Sequence, residues 1–358
     1  MTDQPEEDNS TRDDIRQRMT ADDLADWDAI QEWKAAQTRS IRPRVISQRL
    51  RAFLLAPVAK LVDLARKVPG GAAILRKVSS VALRLVEMGT TAAESTIRRE
   101  RIVKAYRQAG NDVERLEDIR DLSLEDIRSV RPHLKVGYCG VTATEGALTS
   151  LIASGGSVAA LVGLGIASAP GVGVVAAAIG LDIITFLTSA TRLVSHTAAY
   201  YGYDTEDPAE DFFAAMVLSQ AISPESDSDD FVVEKETSML VFNKVMHKLA
   251  KRGSMEGIGN NALAASVNSL FAALGARLVG MKMAQILPVV GIVVGVAINA
   301  SLIRTIGVTA DHLYRERLLI ERYGQDGSAS DHEEADDEDD LDTEVARYIE
   351  LAKAEKRR

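Results

Sequence analysis

Residues 147–191 read ALTSLIASGGSVAALVGLGIASAPGVGVVAAAIGLDIITFLTSAT, and Asp182 is the one charged residue among them. Glycines stand at 155, 156, 163, 165, 171, 173 and 180. A glycine inside a helix costs about 1 kcal/mol relative to alanine, so this density makes sense where two backbones approach closely. Ala169-Pro170-Gly171 is the natural turn. The stretch therefore predicts a central glycine-rich apolar hairpin of two antiparallel helices, 138–168 and 172–202.

Outward from the hairpin, helical signals continue in both directions. Pro208 suits the first position of a helix capped by Asp207 and running to Ile222. Helices are expected over 231–251 and 257–281. A second apolar helix follows near the C-terminus at 286–303, and a charged helix at 302–323 stops at Gly324. Toward the N-terminus, Thr20 caps a helix carrying Leu24, Trp27, Ile30 and Trp33 at helical spacing. Residues 72–108 read as helical with a break at Gly89. Residues 111–132 read as short helices, NDVERLEDIRDL and then SLEDIRSV, whose Ser123 and Asp126 fit a capping box. No strand alternation appears. The fold class is all-α: a multi-helix single domain over 20–324, between a disordered acidic N-terminus (1–19) and an acidic, mostly disordered tail (325–358).

Charge is unevenly distributed along the chain. The net charge is −10, and residues 326–344 hold eleven acids and no Lys or Arg. Residues 39–107 hold sixteen Lys/Arg against Asp63, Glu87, Glu94 and Glu100, a net +12. Within that section, 44–68 is patterned as an amphipathic helix kinked at Pro57 and ended by Gly70-Gly71. Ile46, Leu50, Phe53, Leu54, Val58, Leu61, Ala65 and Val68 share one face. Arg44, Arg51 and Arg66 border that face on one side, and Arg49, Lys60 and Lys67 on the other. Such a helix suits an anionic lipid surface, with Phe53, Leu54 and Leu61 buried and the cations snorkelling to headgroups. Residues 147–168 are an uncharged run of 22, long enough to span about 30 Å of hydrocarbon. Asp182 interrupts the following helix, which favours a shallow hairpin over a plain second span. Burial of both runs in a soluble bundle is the alternative, in keeping with a mean hydropathy of −0.03.

Chemical motifs are sparse. The chain lacks phosphate-loop, dinucleotide-binding, nucleophile-elbow and His-Glu-x-x-His patterns, and no cofactor or metal is expected. A single cysteine, Cys139, precludes an intrachain disulfide, which fits a reducing compartment. The N-terminal residues lack the apolar core of a secretory signal, so a cytoplasmic location is expected. If the hairpin turns at Pro170, Glu145 and His196 fall at the same level. They form either a ligand or acid–base pair or a structural ion pair. Asp182, inside the apolar run, is either a satisfied buried carboxylate or a functional one. Arg304, Asp311, His312 and Arg315 form a polar seam, with Asp311 and Arg315 spaced i,i+4. There, His312 and Arg315 face the core with Tyr314 outside, or the reverse. Trp27, Trp33 and Tyr200-Tyr201-Tyr203 suit interfacial anchoring and ordinary packing equally. The basic section has no nucleic-acid-reading motif, and overall acidity opposes that partner.

Four stretches resemble the EcsC protein family in the expected order: WDAIQEWK from Trp27, ATEGALTS with the glycine-rich run and LDIITF, AAYYGYDTEDPAEDFFAAMVLSQA, and LPVVGIVVGVAINASLIRTIGVTADHLYRERLLIERYG. Together they span about 27–324. Asp182 is followed by Ile-Ile-Thr, where related sequences often place a proline soon after the aspartate. The resemblance implies a bacterial, helical, membrane-associated protein linked to an ABC-transporter operon, and it implies no catalytic residues. The expectation is a non-enzymatic protein on the inner face of the cytoplasmic membrane, accessory to transport or secretion, with anionic lipids and possible protein partners such as a transporter. The alternative is a soluble enzyme, or a small-molecule or lipid binder, using Glu145, Asp182 and His196.

Overall fold

The computed structural model describes residues 15–39, 97–131, 172–222, 229–252, 260–283, 291–324, 343 and 345–351. The described elements are helices with no strand among them: α1 (Ala21–Arg39), α2 (Arg99–Gln108), a 3-10 turn (Glu117–Asp121), α3 (Leu124–Val130), α4 (Val172–Tyr200), α5 (Pro208–Ala221), α6 (Asp229–Arg252), α7 (Asn260–Met283) and α8 (Gly291–Tyr323). The chain is all-α, as its periodicity predicts.

Several helix ends follow from local chemistry. Thr20 Oγ1 accepts from the Asp23 amide at 3.2 Å and opens α1. Asp207 caps α5 through the Ala209 amide at 2.8 Å, with Pro208 in the first turn. Ser123 caps α3 by accepting from the Asp126 amide at 3.1 Å. Helix α2 ends with Gly110 at φ +94, its amide bonded to Arg107 and the Asn111 amide to Tyr106, a glycine-terminated Schellman motif.

At the centre lies α5, which packs against α4, α6, α7 and α8. It is buried on every side: of its 14 residues, only Pro208 and Asp211 keep appreciable exposure. Helix α8 crosses α4 and α5 and is covered by α1 and α6, while α2 rests on α4. Trp27, Ile30, Tyr201, Tyr203, Phe212, Phe213 and Phe242 fill the core between them. Trp27, Tyr201 and Tyr203 are therefore packing residues.

Four expectations change. The apolar run at 286–303 and the charged helix at 302–323 are not two elements, because α8 continues unbroken from Gly291 to Tyr323. Residues 111–116 are not helical. Arg107 donates to the Val113 and Glu114 carbonyls, and Asp118 accepts from the Glu114 and Arg115 amides, so side chains replace the helical ladder there. Residues 15–18 form a helical turn with Ile15 buried, so the disorder expected over 1–19 does not extend through them. Residues 345–351, assigned by composition to the tail, are helical, and Val345, Tyr348 and Ile349 join the core. The first hairpin arm, the Pro170 turn and the basic segment 44–68 lie outside the described residues.

Candidate functional site

The family-like block at 200–208 forms the corner between α4 and α5. Gly202 has φ +84, its amide bonds the Ala199 carbonyl, and the Tyr203 amide bonds Ala198. This is again a Schellman cap, and its positive φ favours glycine. A Cβ at Gly202 would also stand 2.9 Å from both the Leu116 carbonyl oxygen and Arg120 Cγ. The corner therefore needs glycine for conformation and for space. Asp204 Oδ1 accepts from the Glu206 amide at 3.0 Å, and Asp204 Oδ2 pairs with Arg99 Nε at 2.8 Å. The chain thereby turns into the Asp207 cap.

The corner aims two tyrosines at fixed partners and receives a third from α2. The Tyr106 hydroxyl donates to the Tyr200 carbonyl at 2.6 Å. Tyr201 donates to Asp311 Oδ1 at 2.7 Å and Tyr203 to Glu321 Oε2 at 3.0 Å. Both carboxylates lie on α8, where they anchor two ionic clusters three turns of helix apart.

The deeper cluster surrounds Arg317, only 1% exposed. Its guanidinium grips Glu210 with both terminal nitrogens, at 2.7 and 2.5 Å, and Nε reaches Glu321 at 2.9 Å. The Tyr203 and Phe213 rings lie 4.4 and 4.7 Å from its central carbon, in the cation–π range. Burial pushes the Glu210 carboxyl above its ordinary range despite the opposing Arg317 charge. Burial also raises Tyr203 and Tyr314. The Tyr314 hydroxyl is buried among these rings with no hydrogen-bond partner.

The second cluster joins α1, α3 and α8. Arg315 bridges Asp311, at 2.5 Å, and Asp26, at 3.1 Å. Arg131 pairs with Asp311, and Arg128 with Asp26. Burial works to raise Asp311, but Arg315, Arg131 and the Tyr201 hydroxyl together hold it below its ordinary value. Burial pushes Tyr201 up to about 12. Nearby, Lys34 pairs with Glu316 and donates to Asn243 Oδ1 at 2.7 Å, while Gln31 donates to Glu316 at 2.9 Å. At the helix end, Tyr323 donates to Asp23 Oδ2 at 2.6 Å. Arg322 donates to the Leu122 and Arg120 carbonyls, at 2.6 and 3.0 Å, and fixes the 3-10 turn.

Of the residues singled out from sequence, Asp311 and Arg315 meet directly. His312 instead stacks on Trp33, with ring centroids 4.5 Å apart, and its Nδ1 lies 2.8 Å from the Val308 carbonyl. Tyr314, not His312 or Arg315, is the residue fully in the core. Arg304 is exposed two turns away from Asp311. His196 is half-buried on α4 with its ring 5.5 Å from Tyr200. Burial, then Arg192, lowers its pKa. Asp182 belongs to α4, but its side chain is not among those described, and Glu145 lies outside the described residues. Sequence reading passed over Glu210, Arg317 and Glu321. A usable signal existed for Arg317 and Glu321, which stand i,i+4, whereas Glu210 is hidden among its acidic neighbours Asp204, Glu206, Asp207 and Asp211.

Every charge in these clusters faces an opposite charge. Each buried charge is thereby compensated where it sits. Among the described residues, no group of three His, Cys, Asp or Glu is placed to hold a metal, and no helix is long and apolar enough to cross a membrane.

The fold and its polar seam define a helical protein whose buried charges are matched across α1, α3, α5 and α8. A model of the EcsC protein family matches residues 25–319, and the chain belongs to that family. No curated protein and no solved structure matches the chain.

Proposed function

We propose that the protein is a non-enzymatic, peripheral membrane member of its family that docks on the inner face of the cytoplasmic membrane. The basic segment 44–68 makes the first contact, the apolar run at 147–168 enters the lipid shallowly, and the ion-paired helices form a rigid support. The role is accessory to transport or secretion.

The observation behind this reading is the charge distribution: net +12 over residues 39–107 in a chain of net −10. Near an anionic surface each Lys or Arg contributes about 1 kcal/mol, and the attraction fades within a Debye length of ~8–10 Å. Arg44, Arg49, Arg51, Lys60, Arg66 and Lys67 border an apolar face in sequence, the arrangement that lets a helix lie in a headgroup layer. The matched charges of the polar seam favour a supporting role for the core over a catalytic one.

Flotation with vesicles tests the proposal. The purified protein is expected to float with phosphatidylglycerol-containing vesicles at low salt, to float less at high salt, and to ignore pure phosphatidylcholine. Protein that remains in the soluble fraction with anionic vesicles at low salt overturns the proposal.

A further inference from the structure

Residues 345–351 stand outside the stretch that matches the family, 25–319, yet they are seated on it. Twenty residues separate Gly324 at the end of α8 from Val345. Tyr348, 1% exposed, enters a groove between α5 and α6. Its hydroxyl accepts from Gln220 Nε2 at 3.1 Å and donates to the Met216 carbonyl at 3.3 Å. Phe242 lies alongside, its ring centroid 6.4 Å away. Gln220 also donates to Ser238 Oγ at 3.1 Å, so the groove floor is polar at one point and apolar around it. Met216, Gln220, Ser238 and Phe242 lie within the family-matched stretch, and the occupant lies beyond it.

Two features mark this occupancy as exchangeable. First, the footprint is small: among the described residues of the segment, Val345, Tyr348 and Ile349 are buried and Leu351 packs against the core. Burying so few apolar side chains returns little more than ordering the segment costs. They bind weakly as a separate peptide, whereas a tether supplies an effective concentration on the order of millimolar. Second, Gln220 is over nine-tenths buried, and its Oε1 has no hydrogen-bond partner beneath the segment. A buried amide oxygen left unfilled weakens the seat.

We infer that the groove between α5 and α6 is a helix-docking site and that residues 345–351 are its tethered, releasable occupant. The inference is independent of lipid binding.

The test uses the full chain with a protease site placed within 325–342 and cut after folding. The released C-terminal fragment is expected to separate on gel filtration while the remainder keeps its helical circular dichroism and cooperative melting. A fluorescent peptide of residues 340–358 is then expected to bind the cut protein one-to-one and to bind the uncut protein at least 10-fold more weakly. In the peptide, Tyr348→Phe should weaken binding several-fold and Tyr348→Ala more than 10-fold. The inference is overturned if the fragment leaves only as the core melts, if the peptide fails to bind the emptied core, or if cut and uncut proteins bind it equally.

Discussion

Helix α5 and the C-terminal half of α8 are buried to a similar degree and pack on one another, yet they are built from opposite materials. Around α5 the partners are Phe212, Phe213, Met216, Val217 and Leu218, with Glu210 as its deeply buried acid. On α8, Glu316 and Arg317 are each 1% exposed, and Asp311, Arg315 and Glu321 add further charges. An apolar contact accepts any neighbour of the right size. A buried guanidinium accepts only the carboxylates aimed at it, and losing them costs more than making the set returns. The first region supplies driving force and the second supplies register, fixing which turn of α8 meets α5, α1 and the 200–208 corner.

The largest expected effect comes from breaking the charged region on one side. Arg317→Met leaves Glu210 and Glu321 buried against apolar neighbours and should lower urea-unfolding stability by about 3–5 kcal/mol. Adding Glu210→Met and Glu321→Met should recover most of the loss, while helical content stays and the 200–208 corner becomes easier to exchange with deuterium. Stability that stays low in the triple variant would mean that the cluster adds net energy and not only specificity. Gly202→Ala forces a side chain into a left-handed backbone and toward the Leu116 carbonyl, and should cost about 1–3 kcal/mol by the same unfolding measurement. Asp207→Ala removes the α5 cap and should cost about 1 kcal/mol, read as a small drop in melting temperature.

The smallest effects are in pH dependence. The folded state lowers His196 below 6.5 and so favours its neutral form. That contribution is complete above pH 6.5 and is lost as pH falls from there toward the folded value. A His196→Gln variant should flatten this part of the stability curve. The folded state also lowers Asp311 below 3.8, so its contribution holds above that pH and disappears only as pH falls through the depressed value. Asp311→Asn should therefore weaken the neutral-pH protein and leave its stability less dependent on strong acid.

The comparison also explains what was legible in the sequence. Apolar periodicity, Pro208 and the Thr20, Ser123 and Asp207 caps are local signals, and they locate α1, α3 and α5 within a residue or two. The Asp311–Arg315 pair is likewise local, one turn along α8. Glu210 and Arg317 are 107 residues apart, and Arg315 and Asp26 are 289 apart, so no periodic pattern joins them. Tyr348 was hidden for a different reason: eleven acids in 326–344 dominate the composition up to its doorstep, although Val345, Tyr348 and Ile349 keep helical spacing. The run from 286 to 323 reads as two helices because its polarity changes near Ile303, but polarity changes along a helix wherever its surroundings do.

Vesicle binding by three proteins compares the membrane-facing sequence with the supporting core most directly: the natural chain, the Arg317→Met/Glu210→Met variant, and a chain with Arg44, Arg49, Arg51, Lys60, Arg66 and Lys67 changed to Gln. At roughly 1 kcal/mol per cation, the neutralised chain should lose at least 100-fold in affinity for anionic vesicles, while the core variant binds like the natural protein. Undiminished binding by the neutralised chain would contradict the account.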